Sequence, residues 1–354
     1  MTNNTKDLDI NYKSDWEFTV DEQDTIDNLR NIGYDIEEAI GDIVDNSIDA
    51  GASKIFIEYS FRNDNNQGYV VVMDNGKGMN IEELTNAFSY KKNLGAEPNR
   101  LGFFGLGLKT SSSSQCDKLS ILTRKNNAQQ VIEGTIYFNG DKKIHSKFDD
   151  PNNLYSFFDN TSSKNDLPFK TNSGTIVLWS EMTERFGRTI QKKDNPRNFY
   201  DINSKIKNHL GLIFYELIKE NKVEIYVGRN NWNNTPIEYI DPFLVNEKDT
   251  IELQKDNVYV ESLDGNIEIE PYIVPDIRSF SEEQRERFSS YYSWNEMQGI
   301  YIFRNKRLLS YAKWHNLKYK NQSIKEKSEK YRNLRIKISF NNLKNLENLD
   351  LTIN

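Results

Sequence analysis

The stretch DIVDNSIDAGA, residues 42–52, decides the fold of this chain. It closes a segment in which apolar residues recur at helical spacing, and Gly51 is a typical residue just after a helix C-terminus. We therefore predict a helix from Asp35 to Asp49. Asp42 and Asn46 are four residues apart, so they share one face of that helix. Solvated helices often carry an acidic face as well, so this helix taken alone favours an ordinary surface element.

The pairing of a carboxylate with an amide one turn away suits a metal site. The amide oxygen of Asn46 is a hard ligand of the kind Mg²⁺ prefers. The carboxylate of Asp42 can orient or deprotonate a water beside such an ion. The helix therefore has two interpretations at this point, a solvated face and a magnesium site.

A second motif, DNGKGM at residues 74–79, directly follows a predicted strand at 69–73. Gly76 and Gly78 would let the backbone approach a flat ligand closely. Asp74, at the end of the strand, can accept a hydrogen bond from an exocyclic amine such as adenine N6. The same six residues also fit an ordinary turn, so the motif is not decisive by itself.

A third motif, LGFFGLGLKT at residues 101–110, places three glycines within six residues before a predicted helix at 106–114. Exposed backbone N–H groups and a helix N-terminus form a cradle for a polyphosphate. The glycine spacing excludes a Walker A loop. The serines at 111–114 are interpreted as polar padding at the helix start. A fourth motif, Ser173 to Thr175, leads into a predicted strand, where a threonine hydroxyl suits a contact to a base or a water.

The order of these four motifs resembles that of the GHKL, or Bergerat-fold, ATPases, which include gyrase B subunits, heat-shock chaperone ATPases, histidine kinases and MutL. Residues 42–52 look much like MutL, and residues 101–116 look more like MORC-type ATPases and their bacterial relatives. The resemblance implies an α+β fold: a Bergerat-type α/β sandwich ATPase domain followed by an α/β transducer-like domain. A strand and turn at residues 301–309 resemble part of the MORC-like transducer.

The resemblance also implies a role for each motif residue. Asp42 stands at the general base, Asn46 at the Mg²⁺ ligand, and Asp74 at the adenine contact. Residues 89–104 stand at the lid over ATP, where Lys91 also fits a plain solvated charge. The other nucleotide-binding positions that the resemblance implies are Asp49, Gly76, Gly78, Met79, Gly102, Phe104, Gly105, Leu106, Gly107, Leu108, Lys109 and Thr175.

The chain departs from the family pattern in two places. The family usually has glutamate at the position of Asp42, and aspartate is one methylene shorter, so we expect slow hydrolysis. MutL-like transducers place a lysine on the γ-phosphate just after a strand of the type that ends this chain at residues 351–354. We therefore expect the natural protein to continue past Asn354 and to supply this switch lysine there.

The predicted domains follow from composition and motif positions. We expect a polar N-terminal arm at 1–20, the ATP-binding domain at 21–185, a linker at 186–198, and the transducer-like domain at 199–354, truncated at its C-terminus. Cys116 is the single cysteine of the 354 residues, which excludes an intrachain disulfide framework and predicts a buried thiol in a reducing compartment. Without a signal core or an apolar run of ~20 residues, we expect a cytoplasmic protein that does not enter the membrane.

Charge is unevenly distributed. The net charge of −7 argues, taken alone, against a general nucleic-acid binder. From Arg304 to Lys337, however, 12 lysines and arginines face only Glu326 and Glu329, so this segment carries +10 and leaves −17 for the rest. Within it, the stretch from Lys313 to Arg332 mixes bases with Trp314, His315, Tyr319 and Tyr331, and such a mixture can bind a nucleic-acid backbone and its bases. A disordered, solvated loop fits this stretch equally well.

Two functions of different classes follow from the resemblance. The first is a Mg²⁺-dependent, slow ATPase switch that dimerises with ATP and acts as a clamp with DNA, through the segment 304–337. Some bacterial MORC-like relatives sit in phage-defence operons, which implies an antiviral role and an operon-encoded protein partner. The alternative is a chaperone-like or signalling ATPase that acts on proteins. A histidine kinase is disfavoured because no histidine precedes His145.

Overall fold

A computed structural model of the chain describes residues 34–60, 68–88, 107–125, 131–138, 173–183, 196–228, 235–261, 264–282, 284–285, 293–320 and 322–340. The described part contains two large β-sheets and several helices, which confirms the predicted α+β class. No helix among these residues is long and apolar enough to cross a membrane.

The first sheet has six strands in the order β4-β3-β5-β2-β1-β6. Neighbouring strands are antiparallel except for β6, which pairs parallel to β1. The strands are β1 (Lys54–Ser60), β2 (Tyr69–Asp74), β3 (Cys116–Arg124), β4 (Ile132–Tyr137), β5 (Gly174–Met182) and β6 (Glu224–Gly228).

Five helices accompany this sheet. They are α1 (Ile36–Asp49), α2 (Ile81–Phe88), α3 (Gly107–Gln115), α4 (Pro196–Ile213) and α5 (Tyr215–Lys219). Helix α4 begins at Pro196, and Phe214 separates it from α5. Proline is well tolerated in the first turn, because its missing N–H would have no partner there.

Helix α1 forms where the apolar spacing predicts it. Its N-cap is Asp35, whose backbone N–H donates to Glu38 Oε2 at 3.4 Å. After its end, Gly51 takes a positive φ of 74°, which glycine adopts without a Cβ clash. The apolar face of α1 packs into the main core, and the polar face is directed toward the candidate site. The apolar face consists of Ile36, Ala39, Ile40, Ile43 and Val44.

Helix α3 is polar in sequence and yet fully buried from Lys109 to Gln115. The interpretation of Ser111 to Ser114 as polar padding at the helix start does not fit their burial. Ser111 and Ser114 satisfy their hydroxyls on carbonyls of the preceding turn, at 2.5 Å and 2.7 Å. The hydroxyl of Ser112 accepts from the Trp179 indole N–H at 2.8 Å. Small side chains that bond to their own helix or to the sheet let the polar helix α3 pack against α1, β3 and β5.

The second sheet follows the order β11-β10-β14-β9-β7, with β8 also paired to β9. A two-stranded sheet, β12 with β13, lies after β11 in the sequence. The strands are β7 (Ile251–Glu252), β8 (Asp256–Val260), β9 (Gly265–Ile273), β10 (Gly299–Arg304), β11 (Arg307–Lys313), β12 (Lys318–Tyr319), β13 (Gln322–Ser323) and β14 (Leu334–Phe340).

One hydrophobic core joins the two sheets, since side chains of both belong to the same buried cluster. Leu210 of α4 and Phe303 of β10 are both fully buried within it. Cys116 is buried at the start of β3, as predicted. The domain boundaries at 185 and 199 stay predictions, and strand β6 from beyond them belongs to the first sheet.

Candidate functional site

The centre of the candidate site is the approach of Asp42 to the start of α3. An ideal Cβ built on Gly107 would lie 3.7 Å from Asp42 Oδ2. The carboxylate therefore lies close to the first turn of α3, the end of the helix whose dipole attracts negative charge. Two of the predicted motifs, 65 positions apart in the sequence (42 to 107), meet at this point.

Asp42 is held in a half-buried setting. Burial, followed by the neighbouring charge of Asp45, raises the pKa of its carboxyl to about 7, although Arg307 and a hydrogen bond from Tyr34 oppose the rise. A carboxyl with a pKa near neutral pH accepts a proton more readily than an ordinary aspartate does, which suits a general base. Neither the contact of Tyr34 with Asp42 nor the approach of Arg307 to this helix was predicted from the sequence.

Asn46 lies one turn after Asp42 and is exposed. Its amide nitrogen donates to the Asp42 carbonyl at 3.0 Å, so the amide oxygen is the group left to bind a ligand. Within the described ranges, no cluster of three or more His, Cys, Asp or Glu could hold a metal ion. Mg²⁺ commonly keeps several waters and binds phosphate oxygens beside one or two protein ligands, so a single amide oxygen is a suitable protein ligand for it.

Asp74 is buried at the end of β2, with 3% of its surface exposed. Its Oδ2 accepts from the Ser47 hydroxyl and its Oδ1 from the Gly76 backbone N–H, each at 2.9 Å. Burial raises the pKa of this carboxyl to about 6, so it is mostly ionised at pH 7. An ionised carboxylate is an acceptor only, which fits the predicted contact to an adenine amine.

The two glycines of the second motif are required by packing. A Cβ on Gly76 would lie 2.9 Å from the Cβ and the carbonyl oxygen of Ala50. Gly78 has a φ of +63°, and a Cβ there would lie 1.9 Å from the carbonyl oxygen of Arg124. A side chain at Gly76 would therefore collide with the residue that follows α1, and one at Gly78 would collide with the end of β3.

A threonine pair organises the far side of the same motif. The hydroxyl of Thr123 accepts from the Met79 backbone N–H at 2.8 Å and lies 3.1 Å from the hydroxyl of Thr175. The two threonines are direct partners in the register of β3 and β5. The sequence did not single out Thr123, because its position opposite Thr175 depends on the pairing of β3 with β5.

Lys109 lies in the first turn of α3, and its side chain reaches the end of α2. Its side chain is buried, with 1% exposure, and its ammonium donates to the Ala87 carbonyl at 3.2 Å near the end of α2. Burial lowers the pKa of this ammonium to about 8. Its predicted contact with phosphate stays a prediction. Leu108 beside it is half-buried and packs against the main core.

Five predicted site residues lie outside the described residues; they are Lys91, Gly102, Phe104, Gly105 and Leu106. Asp49 is described, and it lies half-buried near the end of α1. Its charge acts on Arg304 of β10, as does that of Asp45. Asp49 is thus close enough to the second sheet for its charge to act on Arg304.

The second sheet contributes a side chain next to the site. Arg307, the first residue of β11, donates from Nε to Asp45 Oδ1 at 2.8 Å. The two side chains are each 12% exposed. The guanidinium also lies over the Phe214 ring, at 4.8 Å from its centroid.

Much of the charge in the basic segment 304–337 is neutralised within the chain. Lys306 pairs with Glu220 at 2.5 Å, and Lys337 pairs with Glu216 and Glu270 at 2.6 Å and 3.0 Å. The other pairs are Arg307 with Asp45, Lys327 with Glu296, and Arg332 with Asp276. The side chains of Lys318, Lys320 and Lys325, in and near the two-stranded sheet, are exposed.

A comparison with known proteins finds a family match for part of the chain. Residues 34–152 match the family described as histidine kinase-, DNA gyrase B-, and HSP90-like ATPases. No curated protein matches the chain. Among solved structures, the crystal structure of the N terminal domain of a DNA repair protein is similar over 90% of this chain and 87% of that chain, with 17% sequence identity and a TM-score of 0.48.

Proposed function

We propose that the chain is a slow, Mg²⁺-dependent ATPase, and the match of residues 34–152 to the histidine kinase-, DNA gyrase B-, and HSP90-like ATPases supports this. In this proposal Asp42 is the general base and Asn46 the protein ligand of Mg²⁺. Asp74 binds the adenine amine, and the first turn of α3 binds the phosphates. Asp42, and not the usual glutamate, stands at the base position.

The observation that carries the proposal is the position of Asp42 against the first turn of α3. A phosphate bound by the N–H groups of that turn would lie beside the Asp42 carboxylate, so a water between them could be activated in place. Asn46, one turn along the same helix, would reach a metal ion on the same phosphates. Asp74 accepts a hydrogen bond from Ser47 of the same helix, so the proposed adenine site is connected directly to the helix that carries Asp42 and Asn46.

Nucleotide selectivity tests the proposal most directly. Calorimetry with ATP and with GTP, in the presence and absence of Mg²⁺, should show Mg²⁺-dependent binding of ATP and weaker binding of GTP. Asp74→Asn should lower ATP affinity by about 1–3 kcal/mol, because its amide N–H₂ would face another donor. Equal binding of ATP and GTP by the wild type would contradict the adenine assignment, and unchanged affinity in Asn46→Ala would contradict the metal ligand.

We propose further that ATP binding drives dimerisation and that the dimer acts with DNA. The exposed lysines around β12 and β13 support contact with a phosphate backbone, since two copies would bring two such groups together. Solution size with and without a non-hydrolysable ATP analogue tests the dimer. The antiviral role is tested by plating phage on cells that carry the wild type or Asp42→Asn.

Action on a protein partner is the second candidate, and the internal ion pairs of the segment 304–337 favour it. Lys306, Arg307 and Lys337 are committed to carboxylates, so the +10 of the segment overstates the charge that it offers to a ligand. Absence of DNA binding at low salt with nucleotide present would make this candidate the better one.

A further inference from the structure

The turn between β10 and β11 sends two neighbouring basic residues to different partners. Asn305 and Lys306 have φ values of 47° and 68°, as in the tight hairpin turns that match the twist of the strands. Lys306 reaches Glu220, just after α5. Arg307 turns the other way and reaches α1. The direction of the Arg307 side chain is thus fixed by the hairpin that carries it.

The Arg307 guanidinium is held on several sides. Its Nε donates to Asp45, and its Nη1 donates to the Leu308 carbonyl. The Phe214 ring lies under it. Its Nη2 would be 3.7 Å from a Cβ on Gly41, so the glycine allows the guanidinium to approach the backbone of α1. Because these contacts fix the planar guanidinium, its hydrogen bond to Asp45 restricts the position of the Asp45 carboxylate.

We propose that Arg307 is a positioning residue for Asp42, which acts through Asp45; this inference rests on the proposed ATPase function. Asp45 lies three residues after Asp42 on α1 and is buried, with 8% exposure. A buried carboxylate without a cation is strongly unfavourable and repels a second carboxylate nearby. Arg307 neutralises Asp45 and fixes the rotation of α1, so that Asp42 faces the first turn of α3.

This role makes turnover depend on the contact between the two sheets. Arg307 belongs to the second sheet, whereas Asp42, Asn46 and Asp74 are all carried by the first part of the chain. Loss of Arg307 should therefore disturb the reacting geometry more than the binding of nucleotide, because Asp74 and α3 keep their own contacts.

The test compares Arg307→Gln with Lys306→Gln, its neighbour in the same turn, and with Asp45→Asn and the double variant Asp45→Asn/Arg307→Gln. Turnover, affinity for a non-hydrolysable ATP analogue, and hydrogen exchange of the α1 amides are measured on the full chain. Arg307→Gln should lower turnover on the order of 10–100-fold, as small misplacements of reacting groups do, with little change in affinity. The double variant should recover part of the turnover and of the α1 protection, since it leaves no unpaired buried charge.

Arg307→Lys, which keeps the charge without the planar fork, should give a smaller loss and serves if the glutamine variant does not fold.

Wild-type turnover in Arg307→Gln would overturn the inference. Equal losses in Arg307→Gln and Lys306→Gln would also overturn it, as would a double variant no better than the single one in both turnover and exchange. A wild type that neither binds nor hydrolyses ATP would refute the proposed function instead, and the exchange of the α1 amides would still decide whether the Arg307–Asp45 pair fixes this helix.

Discussion

The hydroxyl of Ser47 donates to Asp74 Oδ2 at 2.9 Å and thereby joins α1 to the end of β2. Ser47 directly follows Asn46, the predicted Mg²⁺ ligand, and Asp74 is the predicted adenine contact. The same hydroxyl lies 3.3 Å from the Ile43 carbonyl one turn earlier. A single buried side chain therefore sets the distance between the metal side and the base side of the candidate site.

Ser47→Ala should weaken both folding and ATP binding. Asp74 would lose one of its donors in a buried place, which costs about 1–3 kcal/mol for a charged acceptor. Denaturant unfolding and calorimetry with ATP measure the two effects. Ser53→Ala is the matched control, because the Ser53 hydroxyl accepts from Asn75 at 2.9 Å at an exposed position. If both serine variants behave alike, the Ser47–Asp74 bond does not organise the site.

Asp42→Asn should keep ATP binding and lose hydrolysis. The change preserves shape but removes the proton acceptor, and general-base catalysis contributes typically ~10²–10⁴-fold. Single-turnover hydrolysis and affinity for a non-hydrolysable analogue separate the two effects. A wild-type rate in Asp42→Asn would transfer the role of base to another group, with Asp45→Asn as the next variant to measure.

Gly78→Ala should destabilise the protein far more than Gly51→Ala. Both glycines have a positive φ, so alanine at either position costs roughly 1–2 kcal/mol of backbone strain. At Gly51 nothing lies within 4 Å of the added Cβ, whereas at Gly78 the Arg124 carbonyl oxygen would lie at 1.9 Å. Thermal unfolding of the two variants measures the difference, which reports how closely the second motif is packed on the end of β3. Equal melting temperatures would show that the motif relaxes freely.

His209 should make the protein less stable below about pH 6.5. Burial, together with the charge of Arg307, lowers the pKa of its imidazole from 6.5 to about 3. Between these two values the unfolded chain binds the proton and the folded chain does not, so the stability contributed by His209 is present above pH 6.5 and is lost as the pH falls. The loss is about 1.4 kcal/mol per pH unit.

Raised pKa values at Asp42 and Asp74 act in the opposite direction over part of this range, so the informative quantity is a difference between variants. Denaturant unfolding from pH 8 to pH 5 should give a smaller acid loss in His209→Gln than in the wild type. His315→Gln, at an exposed position, is the control. Parallel pH profiles for wild type and His209→Gln would show that this imidazole takes up its proton without cost to the fold.

Charge reversal at Lys318, Lys320 and Lys325 should weaken binding to duplex DNA and flatten its salt dependence. Each phosphate that these lysines no longer neutralise reduces the log–log slope of affinity against salt by roughly 0.9. Reversal of Lys54, Lys222 and Lys255 changes the net charge equally but places the change on other elements, so it is the matched control. Equal effects of the two sets would indicate a response to net charge alone.

The sequence predicted those parts of the site that depend on local pattern. Helix α1 was expected from Asp35 to Asp49 and is found from Ile36 to Asp49, because apolar periodicity and Gly51 determine both of its ends. The end of β2 at Asp74 was predicted in the same way. Helix α3 was predicted within one residue at each end from its glycines, although burial of its serines was not.

The contacts that sequence alone could not predict are those between distant residues. Arg307 and Asp45 are 262 positions apart, and nothing in the local pattern distinguishes Arg307 from the other bases of its segment. Thr123 became visible only through the register of β3 with β5. Such pairings depend on strand order and on side-chain packing, which residue spacing along one element does not determine.

Strand β6 has a practical consequence for any attempt to shorten this protein. It hydrogen-bonds to β1 in parallel, from Lys54 with Glu224 to Glu58 with Gly228. A fragment ended at residue 185 would leave that side of β1 as a bare edge, with unpaired N–H and C=O groups that recruit other chains. It would also lose α4, whose Ile206 and Leu210 are fully buried in the common core. A fragment that extends through residue 228 keeps both β6 and α4, so it is the better choice when the first sheet is to be expressed alone.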